Sequence, residues 1–172
     1  MRRGVGIEDT LKPLATHPTQ CYLTNVLQVA DVLEWVLSQV GRATVWQTSF
    51  SISEEFLRRL YFIEKSGRVD TIHLILDFKA TQKTLRLWPF LTRVIEHTYL
   101  ADNHSKVILV RSDAGEKVSI ITSQNLTRGN RMESAVVSTD SNLFDTFFTA
   151  LEDIIKNHSV PLSELLKQKL AD

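Results

Sequence analysis

Cysteine is the scarcest chemistry in this 172-residue chain: Cys21 stands alone, so neither an intrachain disulfide nor a cysteine-rich metal site can form. A reducing, intracellular setting is the expectation that follows. Glycine and proline are sparse too, six and four residues, and their scatter excludes collagen-like and low-complexity chains. No apolar run approaches the roughly 20 residues of a membrane span; aliphatic runs are as short as Val107-Ile108-Leu109-Val110. The basic start Met1-Arg2-Arg3 meets Gly4, Glu8 and Asp9 before any apolar stretch, unlike a secretory signal. Twenty Lys and Arg balance twenty Asp and Glu. That balance excludes coating of nucleic acid or membrane by bulk charge, though it leaves a local basic patch open. These absences predict a soluble cytoplasmic protein with no membrane partner.

An ordinary globular composition remains, 43% apolar and 23% charged, at a length suited to one domain. Residues 1–22 show no periodicity and read as an irregular arm, leaving 23–172 as a single domain. Leu27, Ala30, Leu33, Leu37 and Val40 recur at helical spacing over 24–40, and Gly41 is a natural stop. Ala43 to Ser49 is rich in strand formers. Ser53 with Glu54 and Glu55 forms an N-cap and an acidic first turn, opening a helix that buries Phe56, Leu57, Leu60 and Ile63. The apolar run 71–76 closing on Asp77 suits a strand covered on both faces, and a helix bent near Pro89 should follow over 80–96. Segments 105–111 and 117–122 form a hairpin, and 133–139 a further strand. Leu143, Phe147, Leu151 and Ile154 mark the clearest amphipathic helix; Pro161 should open a last one, with Leu165, Leu166 and Leu170 inside. This order predicts an α/β fold, a mixed β-sheet flanked by helices on both faces.

The chemistry concentrates in His104-Ser105-Lys106, Thr122-Ser123-Gln124-Asn125 and Glu133. Residues two apart on a strand share a face, so His104 and Lys106 point together, and Ser123 and Asn125 would meet them across the hairpin. An imidazole, an ammonium, a hydroxyl and an amide then converge at a sheet end, a set suited to a phosphate ester. Lys106 would neutralise a non-bridging oxygen, while Ser123 and Asn125 donate to the others. His104 could attack phosphorus or move protons, with Glu133 accepting from its second ring nitrogen. Arg128 and Arg131 sit beside Asn125 as candidate substrate-binding groups. Between His104 and Glu133 five basic residues face three acidic ones, a modest attraction for a phosphate backbone. No two histidines stand at metal-ligand spacing, so neither a metal nor a cofactor is expected. His73 reads as a satisfied core histidine and Asp77 as a turn cap.

His104-x-Lys106, then Ser123-Gln124-Asn125, then Glu133, resembles the H-K-D motif of the phospholipase D-like superfamily. Two departures stand out: Arg111 occupies the place of the motif's Asp, and Thr122 that of the Gly before Ser123. The resemblance implies a phospholipase D-like domain and a metal-independent phosphodiesterase, nuclease-like, with a phosphohistidine at His104. Its chemistry uses two histidines and this chain has a single H-x-K, so a homodimeric site is expected. The alternative is a catalytically degenerate module of the same fold that binds nucleic acid or a protein partner.

Overall fold

In the computed structural model the described residues are 6–80, 86, 87, 89, 91, 95 and 97–171. Among them, eight strands form one sheet: β1 (Thr19–Thr24), β2 (Ala43–Ser49), β3 (Val69–Asp77), β4 (His97–Ala101), β5 (Val107–Ser112), β6 (Lys117–Thr122), β7 (Glu133–Ser138) and β8 (Ser159–Pro161). Their spatial order is β1-β7-β6-β5-β2-β3-β4-β8. Parallel pairing joins β2 to β3 and β3 to β4, whereas β2 to β5 and everything beyond it is antiparallel. The sheet is mixed, and β2 is the seam.

Helices α1 (Val29–Val40) and α2 (Glu54–Lys65) cover one face; α3 (Ser141–Asn157) covers the other, and α4 (Leu162–Ala171) follows β8. Alternation along each strand feeds both sides. Val45, Leu74, Ile108, Ile120 and Val137 pack with Leu33 of α1 and Leu57 of α2. Trp46, Ile75 and Leu109 pack with Phe144 and Leu151 of α3. Each such buried side chain contributes about 1.5–3 kcal/mol of transfer free energy. The caps follow the sequence: Ser53 Oγ accepts from Phe56 N at 3.2 Å, and Gly41 ends α1 with φ of 80°. Helix α1 starts at Val29 rather than 24, with the Asp31 carboxylate accepting from Gln28 N at 3.0 Å. The helix expected over 80–96 lies largely outside the described residues.

The arm expected over 1–22 needs correction. Thr19–Thr24 is an edge strand paired along β7, and Leu11 and Leu14 are buried in the core. Its alternation is chemically mute: Tyr22 is its one buried residue, while Cys21 and Leu23 on the other side are exposed.

His73 also departs from expectation. It is half-buried, and its ring is stacked between Trp46 (centroids 5.4 Å apart) and His97 (4.8 Å). Its buried Nδ1 makes no hydrogen bond among the described residues. Burial first, and His97 second, lower its pKa from 6.5 to about 4. The folded protein therefore keeps His73 neutral where the unfolded chain would protonate it. Stability contributed by this site is complete above pH 6.5 and is lost as pH falls from there to about 4. Urea unfolding midpoints of wild type and His73→Phe should show a shallower acid-side decline in the variant; identical profiles would contradict the assignment.

Candidate active site

The C-terminal ends of β2 and β6 and the entry to β5 meet at one end of the sheet. Thr122 N donates to Lys106 O at 3.0 Å, so the β5–β6 ladder runs one residue past β5 and sets Lys106 opposite Thr122. Pairing between β2 and β5 reaches Gln47 with Ile108. Two residues further along, Ser49 comes opposite Lys106.

Ser49 is fully buried and its hydroxyl organises the neighbouring loop. It accepts from Leu126 N at 3.0 Å, and its hydrogen lies within reach of Ser51 O at 2.8 Å and Asn125 Oδ1 at 3.3 Å. Ser53 N donates to Leu126 O at 2.9 Å, tying the same loop to the start of α2. Asn125 is thereby held beside the Lys106 position. Nothing in sequence distinguished Ser49 from any polar residue ending a strand.

His104 is exposed, with its ring centroid 5.3 Å from that of Phe50 and inclined at 56°. No hydrogen bond reaches that ring among the described residues. Lys106 is half-buried and donates from Nζ to His104 O at 2.9 Å, which leaves further ammonium protons for a ligand. His104, Lys106 and Asn125 thus share the sheet end.

Ser123 and Glu133 form a separate pair. The Ser123 hydroxyl donates to the Glu133 carboxylate and accepts from Ser134 N at 3.1 Å. Glu133 therefore does not orient His104, contrary to expectation. The reason is topological: Glu133 opens β7, and β6 separates β7 from β5, so two strand spacings of about 4.8 Å intervene. Near this pair, burial first, then the Asp31 and Glu133 carboxylates, push the Tyr22 phenol up from its ordinary value.

Arg128 is committed elsewhere. Its Nη1 donates to Glu55 Oε1 at 2.7 Å, on the wall of a cavity of about 200 Å³ that Gln28, Phe56 and Arg59 also line. Arg59 in turn bonds Asp31 at 3.0 Å and Glu34 at 2.7 Å, so carboxylates outnumber guanidinium groups there. Arg131 is exposed and has no ion pair or hydrogen bond among the described residues. Arg111, at the motif's Asp position, lies five residues along β5 from Lys106 with its guanidinium over Trp46 (4.9 Å) and Phe148 (5.1 Å). That is the α3 face, away from the Lys106 row. Asp77 caps a turn as expected: its buried carboxylate accepts from Lys79 N at 2.7 Å and Asn103 N at 3.0 Å. Among the described residues no cluster of three His, Cys, Asp or Glu could hold a metal ion, and no helix is long and apolar enough to cross a membrane.

No family model and no curated protein matches the chain. Solved structures do. A phospholipase D family member, Nuc from Salmonella typhimurium, superposes with a TM-score of 0.60 at 18% identity, over 83% of this chain and 97% of its own. NucT from Helicobacter pylori gives 0.58 at 12%, over 81% and 96%. Polyphosphate kinase from Porphyromonas gingivalis gives 0.60 at 14%, over 79% of this chain, which spans only 26% of that enzyme. The chain has a phospholipase D-like fold. Within that phospholipase D-like sheet the H-x-K segment enters β5 from the end where Ser49 and Asn125 meet. Replacing Ser49 by Ala strands the buried Leu126 N–H and frees Asn125. Loss of about 1–3 kcal/mol in urea unfolding is expected, and an unchanged midpoint would show that the hydroxyl is dispensable.

Proposed function

We propose that this chain is a metal-independent phosphodiesterase, acting on nucleic acid through a phosphohistidine at His104. The observation that carries this reading is His104 itself: exposed, and free of hydrogen bonds at its ring among the described residues, it shares a sheet end with Lys106 and Asn125. In the first step a ring nitrogen of His104 attacks phosphorus, forming an N–P bond as the ester P–O bond breaks. Lys106 and Asn125 neutralise and bind the non-bridging oxygens. A second histidine gives its proton to the leaving oxygen, then takes one from water as the water displaces His104. The Ser123–Glu133 pair flanks the site rather than acting on the imidazole, and Arg131, exposed and without an ion pair among the described residues, supplies a cation for the phosphate backbone on either side.

The second histidine comes from another copy of the chain, across a two-fold axis beside His104. Leu23 (69% exposed), Met132 (58%) and Phe78 (42%) are large apolar side chains at the same sheet end as His104. Burying them against a second copy both completes the site and removes apolar surface from water. A degenerate binding module is the second reading, favoured by Arg111 at the Asp position and by Glu133 standing apart from His104. Arg111 lies on the opposite face, however, and neither change removes the nucleophile.

Hydrolysis of bis(p-nitrophenyl) phosphate in EDTA tests the proposal. Wild type should turn over and His104→Ala should fall to background, with light scattering giving twice the chain mass at the assay concentration. Equal background from both proteins leaves the binding module, and an active monomer refutes the shared site.

A further inference from the structure

We propose that Asn103 positions His104, replacing the carboxylate that would otherwise orient the imidazole; this rests on the phosphodiesterase reading. His104 lies in the segment 103–105, which is in no strand and precedes the ladder that starts at Lys106 opposite Thr122. With no hydrogen bond to the ring among the described residues, the direction of the side chain depends on its contact with Phe50 and on the backbone that carries it.

Asn103 fixes that backbone on both sides of His104. It is 5% exposed, and its own N–H donates to the buried Asp77 carboxylate at 3.0 Å. Nδ2 donates to Ser49 O at 3.2 Å and lies 3.4 Å from Ser105 O. Oδ1 accepts from Ser105 N at 3.3 Å and from the Ser105 hydroxyl at 2.5 Å. Ser105 Oγ lies 2.9 Å from Thr48 Oγ1, which accepts from Val107 N, also at 2.9 Å. One buried amide therefore joins the end of β3, the end of β2 and the residue after His104.

The same amide couples the nucleophile to its phosphate ligand. Asn103 holds the Ser49 carbonyl, and the Ser49 hydroxyl holds the Asn125 loop. His104 and Asn125 thus keep a common frame through a chain of buried groups that touches no substrate. Asp cannot replace Asn103 fully, since it keeps the acceptor but loses the donor to Ser49 O and places a second carboxylate beside Asp77.

Two measurements test this on the full chain. In steady-state hydrolysis of bis(p-nitrophenyl) phosphate, Asn103→Ala should lower kcat about tenfold or more with KM within about twofold, because misplaced reacting atoms cost rate rather than binding. Asn103→Asp should fall between the two. In protein carrying ¹³C-labelled histidine, relaxation of the His104 ring should show restricted motion in wild type and free motion in Asn103→Ala, with exposed His17 and His158 unchanged. Should Asn103→Ala lose its near-UV circular dichroism, Ser105→Ala, which removes only the hydroxyl contacts, replaces it in both measurements and should show the same changes in smaller degree. Wild-type kcat in the folded variant, or a His104 ring equally mobile in both proteins, overturns the proposal. Absence of turnover in wild type itself refutes the phosphodiesterase reading instead, and ring relaxation then decides the role of Asn103 alone.

Discussion

The double pairing of β2 is the constraint on which the rest depends. Running parallel to β3 and antiparallel to β5, it lets the exits of β2, β3 and β6 and the entry of β5 meet at one end of the sheet. Chain reversals must occur there, so irregular backbone accumulates where four strand ends lie side by side. Irregular backbone leaves N–H and C=O groups that a sheet cannot satisfy, and in a buried place each must find a partner. Asp77, Asn103, Ser49 and Thr48 are those partners. In open α/β sheets this kind of place also receives ligands, since side chains from several strands converge without filling it. Structural need and chemical opportunity coincide.

Local signals were readable wherever they were written in apolar spacing or caps. Strand β2 spans the residues that its composition marks, Ser53 caps α2, and the stripe on α3 meets Trp46, Ile75 and Leu109. Strand β1 was invisible because an edge strand needs backbone partners more than an apolar side, and only Tyr22 among its residues is buried. The tight stack of Trp46, His73 and His97 was hidden for another reason: it depends on three strands far apart in sequence coming into register.

At the candidate site, pattern singled out residues but not their pairing. His104 and Lys106 sit where a strand-entry motif puts them, and Asn125 follows. Which of these touches Glu133 is a question of strand order, and strand order is not written in spacing. With β6 between β7 and β5, the acid meets Ser123. The residues that tie this sheet end together, Ser49 and Asn103, carry small neutral side chains whose importance comes from burial, and a sequence holds no record of burial at a strand end.

The solitary Cys21 has a use beyond its redox meaning. It is exposed on β1, beside Val136 of β7, on the outermost strand of the sheet. A chain with one thiol accepts one spin label, so a dipolar coupling between labels reports a separation between chains and never within one. The geometry of any assembly formed by this protein can therefore be surveyed on the unmutated sequence.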